Sequence, residues 1–369
     1  MRVLIAPDKF AGTLTAPQAA QAIATGWRRR APTDECVTMP MADGGPGFVD
    51  VLHTSLGGEL LAVTVTGLLG APVPGTVLVH ERTAYVECAQ ACGVHLVPEA
   101  ERSPERATTF GVGQLVAAAL GAGADRVVVG LGGSATTDGG AGLLAALGAT
   151  ADAPLDAGPA GLDAVTRVDL APARHRVKGA ELVIASDVDS PLLGLFGAAK
   201  VFGPQKGLSD ERIAAVDAIL DRFVVATLGT TPAQRRLADD PGAGAAGGLG
   251  FALLLLGAVR VPGVRLVGEA VGLADAAQRC DLVLTGEGSF DFSSGVGKVV
   301  HGVAQAAQQA LRPCVVLAGR VQVGSREMRA LGIESAYDMV DLVGERTALA
   351  DPAQSLAALA ERTARTWSR

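Results

Sequence analysis

Five segments of the chain set glycine beside aspartate, serine, threonine or lysine just after an apolar run. The longest is Gly130-Leu131-Gly132-Gly133-Ser134-Ala135-Thr136-Thr137-Asp138-Gly139-Gly140-Ala141-Gly142. Glycines let backbone N–H groups approach an anion closely, and a following helix N-terminus adds partial positive charge. Gly132, Gly133 and Ser134 are therefore candidates for holding a phosphate or carboxylate. Gly130, Gly132 and Ala135 also satisfy a G-x-G-x-x-A dinucleotide pattern. That fingerprint requires an acidic residue closing the next strand about 20 positions on, and Ala151-Asp152-Ala153-Pro154 carries no strand signal.

Asp187-Val188-Asp189 follows a strand-like run. Residues two apart in an extended chain point the same way, so both carboxylates can face one Mg²⁺; the alternative is a pair of turn-capping aspartates. The third segment runs from Gly286 to Lys298. It is not a Walker A loop, because Phe292 stands where the first glycine is required and Val299 replaces the Ser or Thr. It still offers Asp291, Lys298 and the close-approach position Gly286. Met41-Ala42-Asp43-Gly44-Gly45 and Asp8-Lys9 complete the set. The chain has five lysines, Lys9, Lys178, Lys200, Lys206 and Lys298, and all but Lys178 stand beside such loops. A compact ammonium suits the charge that develops on a migrating phosphoryl group.

These loops need elements that end at one place. The repeating unit is a short β-branched strand, a polar loop and an alanine-rich helix, seen at Arg2–Ala6 with a helix from about Ala16 to Arg29, at Arg126–Val129, Glu181–Ala185, Asp281–Leu284 and Cys314–Leu317. Continuous apolar strands of this kind predict parallel sheets covered on both faces by helices, with ligands beyond the strands' carboxyl ends. From Gly57 to Val97 the pattern changes to short alternating strands with Pro and Gly turns, which predicts antiparallel or mixed sheet. The reading is α/β with two domains. Residues 1–75 and 270–369 are read as one parallel-sheet domain made from both ends of the chain, and residues 76–269 as a second, inserted α/β domain.

Bulk properties narrow the function classes. Hydrophobic residues make up 49% and charged residues 19%, enough for sizeable cores. A net charge of −7 and 4% aromatics argue against a nucleic-acid partner. Arg28-Arg29-Arg30 reads as the solvated end of a helix. The N-terminal residues read as a strand, not a signal peptide, and Phe251–Val259 is too short to span a bilayer. The five scattered cysteines and five histidines show no metal-ligand spacing. A cytoplasmic protein without membrane contact is expected; a homo-oligomer is compatible with the chain but not specified by it.

The motifs together resemble the bacterial glycerate kinases that are unrelated to P-loop kinases. The matches are Ala6-Pro7-Asp8 with Gly12, Ala42-Asp43-Gly44-Gly45, the Gly130–Gly142 loop, Asp187-Val188-Asp189 with Pro191-Leu192, and Val201-Phe202-Gly203-Pro204-Gln205-Lys206-Gly207. Pro241–Gly250, Thr285-Gly286-Glu287-Gly288 and Gly297-Lys298 continue the set, in order over nearly the whole chain. The resemblance implies a Rossmann-like domain made from both ends of the chain with a second α/β domain inserted, and ATP- and Mg²⁺-dependent phosphorylation of D-glycerate in the cleft between them, to 2-phosphoglycerate in preference to the 3-phosphate. On that reading Asp187, Asp291 and Lys298 are catalytic, and Lys9, Asp43 and Lys206 bind substrate. Gly132, Gly133, Ser134 and Gly286 hold phosphate or nucleotide, and Asp187 and Asp189 hold the metal.

Three segments depart from the family pattern. Ser-Phe-Lys-Gly becomes Lys9-Phe10-Ala11-Gly12, so the ammonium moves two places along the loop, which in extended chain keeps it on the same side. Asp-Gly-Gly-Glu-Gly-Thr becomes Asp43-Gly44-Gly45-Pro46-Gly47-Phe48, which removes a carboxylate. Residues 289–298 keep Asp291 and Lys298 but lose an arginine and a histidine. An NAD(P)-dependent oxidoreductase of a small hydroxy acid and a non-catalytic small-acid binding protein are the alternatives.

Overall fold

The computed structural model describes residues 1–291 and 298–368. Residues 292–297, which include Gly295, Val296 and Gly297 of the third loop, lie outside the described residues. Two main sheets organise the chain. In chain order their strands are β1 (Arg2–Ile5), β2 (Glu35–Thr38), β3 (Glu59–Thr66), β4 (Pro72–His80), β5 (Thr83–Glu87), β6 (Arg126–Gly130), β7 (Glu181–Ala185), β8 (Val259–Val261), β9 (Leu282–Thr285), β10 (Cys314–Ala318) and β11 (Ser335–Asp338).

The chain resolves into two compact units. One comprises residues 1–43, 50–57 and 262–369, the other residues 44–49 and 58–261. In the first, five strands lie in the order β11-β10-β9-β1-β2 and every neighbouring pair is parallel. Counted within the unit, that order is 2-1-3-4-5, with its topological switch between β1 and β9. Ligands bind just outside the carboxyl ends at such a point. The run Leu282-Val283-Leu284-Thr285 is wholly buried, as continuous apolar strands require when helices cover both faces. Helix Ala16–Arg30 begins with a Thr15–Gln18 capping box and buries Ala19, Ala20, Ile23, Ala24 and Trp27, while its last turn presents Arg28, Arg29 and Arg30 to solvent.

In the second unit the order is β8-β7-β6-β5-β4-β3. β5 to β8 are parallel, and β3, β4 and β5 form an antiparallel meander, in keeping with the alternating pattern there. β3 and β4 pair continuously from Glu59 opposite Val79 to Thr66 opposite Pro72. A boundary after residue 75 would cut β4, so the compact unit takes in the whole hairpin.

Asp138 organises the Gly130–Gly142 loop from inside the second unit. Its fully buried carboxylate accepts from Thr109 N and Oγ1, both at 2.8 Å, from Gly140 N at 3.0 Å and from Gly142 N at 3.2 Å. Helix Ala245–Leu255 packs against the same loop. Gly139 N donates to Gly247 O, and a Cβ on Gly247 would come within 1.9 Å of Thr136 O. The G-x-G-x-x-G stretch at residues 242–247 therefore serves close packing of one segment on another.

Asp138→Ala strips four donors of their acceptor at once. Each buried unsatisfied donor costs about 1–3 kcal/mol, with partial relaxation by water. Denaturant unfolding of the variant should show a loss of about 3–5 kcal/mol, whereas a loss below 1 kcal/mol would remove Asp138 as the organiser of the loop.

Candidate active site

In the first unit, the carboxyl ends of β1 and β9 are tied together. Ala6 N donates to Leu284 O at 2.7 Å, Asp8 N to Gly286 O at 2.8 Å, and Thr285 Oγ1 to Ala6 O at 2.8 Å. The chain beyond β2 is drawn alongside by Met41 N donating to Pro7 O at 2.9 Å. These bonds carry Asp8, Lys9, Asp43, Glu287 and Ser289 to the rim of one cavity of about 560 Å³, which Asp291, Lys298, Arg320 and Gln322 also line. Every lining residue belongs to this unit. Its lining is mixed: besides the carboxylates and lysines it includes the apolar Phe10, Met339, Val340, Ala348 and Leu349.

Asp8 and Glu287 are the buried carboxylates of the set, 8% and 7% exposed. Asp8 Oδ1 accepts from the Lys9 amide at 2.7 Å, and Lys9 Nζ lies 3.7 Å from Asp8 Oδ1 and 3.8 Å from Asp43 Oδ1. Burial raises the Asp8 carboxyl to about 6, and the Asp43 charge adds to the rise, against the pull of the Lys9 and Lys298 ammonium groups. Lys9 thus bridges two carboxylates in the cavity that also holds Lys298, so the displaced lysine of the first loop stays on the site. Lys298 stands at the N-cap position of helix Val299–Gln309, with no side-chain capping bond. Ser289 Oγ donates to Asp291 Oδ2 at 3.3 Å.

Not every expected residue joins this group. Gly286 does not line the cavity; a Cβ there would meet Leu317 O at 2.0 Å, so the position serves the approach of β9 to β10. Lys206 lies in the other unit. There it shares a smaller cavity, of about 290 Å³, with Gly132, Gly133 and Ser134. Gly130 and Gly132 pack on the neighbouring backbone, where added Cβ atoms would approach Gly44 O to 2.5 Å and Gly45 Cα to 2.4 Å. Their spacing reflects this packing, and the dinucleotide reading finds no support in it.

Asp187 and Asp189, also in the second unit, have different surroundings. Val188 N donates to Ser186 Oγ at 3.2 Å. Asp189 is paired with Arg260 at 2.6 Å and its side chain is 79% exposed, while Asp187 is half-buried. Among the described residues no group of three or more His, Cys, Asp or Glu side chains converges to cage a metal ion.

Three contributors escaped the sequence reading. Asp8 and Glu287 were visible only as motif letters, because burial, which sets their chemistry, is not written in the residue type. Glu87 ends β5, and its Oε2 accepts from Gly47 N at 3.0 Å and Val49 N at 3.4 Å, supplying a carboxylate to the segment in which Pro46 replaces one. No local pattern marks it.

The comparisons with known proteins extend over the same length. The sequence profile described as the Glycerate kinase family matches residues 3–368. A glycerate kinase of Bacillus subtilis strain 168 is 39% identical over 99% of this chain and 96% of its own. A glycerate 2-kinase of Escherichia coli K12 is 37% identical over 93% of this chain and 92% of its own. A crystal structure from Salmonella typhimurium LT2, provisionally described as glycerate kinase 2, superposes with a TM-score of 0.82 at 34% identity, covering 99% of this chain and 98% of that one. With motifs, strand order and relatives in agreement from end to end, the chain belongs to the glycerate kinase family of phosphotransferases.

Proposed function

We propose that the protein transfers the γ-phosphoryl group of ATP to the 2-hydroxyl of D-glycerate, as a cytoplasmic enzyme requiring Mg²⁺. The observation that carries the reading is the cavity of the first unit, which Asp8, Asp43 and Asp291 line together with Lys9 and Lys298. Family membership supports the phosphotransferase class, and the name of the Escherichia coli relative favours the 2-phosphate.

Phosphoryl transfer asks a protein mainly for positioning and for charge stabilisation. Lys298 and Lys9 are suited to hold the glycerate carboxylate or the migrating phosphoryl group, with Asp43 keeping Lys9 extended toward it. Asp291 is the candidate to accept the hydroxyl proton. Asp8, raised to about 6, is its competitor, since a base titrating near working pH serves proton transfer best. The proton leaves the hydroxyl as its oxygen bonds to phosphorus, and the β-phosphate oxygen departs with the electron pair.

Mg²⁺ usually takes one or two carboxylates and fills its remaining positions with water and phosphate oxygens. Asp187, half-buried just beyond a strand end, is assigned to the metal or to the substrate proton, while Asp189 is committed to Arg260. The ion would supply charge neutralisation at the phosphate oxygens.

A coupled assay of ADP release over a panel of hydroxy acids should show turnover with D-glycerate that disappears without Mg²⁺. ³¹P NMR of the product distinguishes the 2- from the 3-phosphate. NAD(P)H turnover with no ADP release would overturn the proposal. Asp291→Asn and Lys298→Ala should each lower kcat/KM by at least about 100-fold, and retention of activity within about tenfold would remove that residue from the mechanism.

Asp8→Asn separates function from stability. Because the native carboxyl is raised from 3.8 to about 6, the native state holds this proton more tightly than the unfolded chain does. The stabilising contribution is complete below about pH 4 and is lost as pH rises through about 6. At pH 7 the charged buried group costs about 2–3 kcal/mol, which asparagine avoids. The variant should unfold at higher denaturant than the wild type at pH 7, show no advantage at pH 4, and turn over more slowly. Equal stability at pH 7 would refute this account of Asp8.

A further inference from the structure

Four strands close the two main sheets at their edges. β2, β8 and β11 are four, three and four residues long, and each carries a charge, Glu35, Arg260 and Asp338. β3 is different. It runs for eight residues and pairs with β4 continuously, without a bulge, from Glu59 to Thr66. An open strand offers a row of unpaired N–H and C=O groups, and charges, prolines, bulges or brevity normally guard it. From Leu60 to Thr66 β3 has none of these. In a chain whose residues are 19% charged, no Asp, Glu, Lys or Arg occurs from Leu60 to His80.

The register identifies the open groups. In an antiparallel pair, alternate residues exchange both bonds with the partner strand, and those between them point away. Thr76 N donates to Gln90 Oε1, beyond the end of β5, so Thr76 points away from β3 and Ala62, opposite it, points away from β4. Thr66 N donates to Gln114 Oε1 at 2.7 Å, which fixes the same parity at the far end of the strand. Leu60, Ala62 and Thr64 therefore present their N–H and C=O groups outward, and among the described residues no backbone bond outside the ladder reaches them. Their side chains are exposed, Leu60 by 44%, whereas Leu61, Val63 and Val65 pack on the core. Pro72 and Pro74, opposite Thr66 and Thr64, stand where β4 needs no donor toward β3.

We propose that β3 pairs antiparallel with β3 of a second copy of this chain across a two-fold axis, Ala62 opposite Ala62 and Leu60 opposite Thr64, so that the two second-unit sheets become one. That register uses the three open residues and leaves out Thr66, whose amide is taken. It also keeps the core-facing side of one strand level with that of the other. A strand edge is self-complementary under a two-fold, so no separate surface has to be matched. Charge selects the same partner. Two copies of net charge −7 repel each other, and their approach costs least along an edge without carboxylates. Glu59 falls opposite Val65, which sets the two Glu59 side chains at opposite ends of the seam. Gln114 marks the side of helix Phe110–Gly121 that lies at this edge. Ala118 and Gly121 follow on that side, and their small side chains let the helix of the second copy lie alongside.

Sedimentation of the full chain at micromolar concentration should give twice the mass of one chain. Ala62→Lys sets two ammonium groups opposite each other at the axis and should weaken association at least about tenfold. Ala62→Glu should do the same with two carboxylates. An equimolar mixture of the two variants should regain dimers, because only the mixed pair sets unlike charges together; an interface elsewhere on the surface would show no such rescue. Val259→Lys, on the β8 edge and 59% exposed, should leave association unchanged. If circular dichroism shows that Ala62→Lys fails to fold, Thr64→Lys, at an exposed position of the same edge, must weaken association instead. A wild type that stays monomeric, assembly that continues beyond two copies, dimers indifferent to the β3 substitution, or a mixture without heterodimers would each overturn the pairing.

Discussion

The first unit depends on the parallel seam between β1 and β9. It joins residues some 280 positions apart in the chain, from Val3 opposite Leu282 to Ile5 opposite Leu284, and continues beyond the strands as Asp8 N to Gly286 O. Two consequences follow from that extension. The strand order reverses at this seam, so the adjoining loops must separate and leave a crevice. The seam also places a short aspartate where the sheet's hydrophobic interior begins, so Asp8 is desolvated while Lys9, one residue on, remains half-exposed. The charge cluster thus results from backbone pairing at the ends of strands whose Val3, Leu4, Ile5, Leu282, Val283 and Leu284 are buried and apolar.

The two cavities treat lysine in opposite ways. Lys9 lies within ion-pair distance of two carboxylates, Asp8 and Asp43. Lys206 is enclosed beside thiols and a carboxylate already bound elsewhere, so burial prevails and its ammonium is weakened. The same residue type is therefore ion-paired in one unit and desolvated in the other. In a chain with so few lysines, that difference comes from the neighbours each loop provides.

Much of the architecture was legible because it follows from local pattern. Apolar runs such as Glu181–Ala185 became buried parallel strands, and the alternating stretch after Gly57 became the antiparallel meander. The gathering of Lys9, Asp43, Asp291 and Lys298 was also foreseeable, since loops at carboxyl ends of neighbouring parallel strands must meet. What could not be read was anything decided by a partner distant in sequence. Asp187 and Asp189 appeared equivalent because nothing in the triplet reveals that Arg260 claims one carboxylate. Gly286 looked like a phosphate contact because close approach to a ligand and close approach to Leu317 place the same demand on a residue.

The substitutions in the family motifs fit the same logic. Losing a carboxylate at Pro46 would leave the residue 44–49 segment short of an acceptor for its amides if nothing compensated. Glu87 reaches those amides from the end of β5, and Pro46 packs its ring where a Cβ on Gly133 would lie, within 2.8 Å. Proline needs no acceptor for its own nitrogen and stiffens the turn, so the replacement exchanges a charge for rigidity beside the loop that carries Gly133 and Ser134. Motif positions in this chain are therefore constrained by which backbone groups need partners and which side chains can reach them, and a changed letter need not mean a changed site.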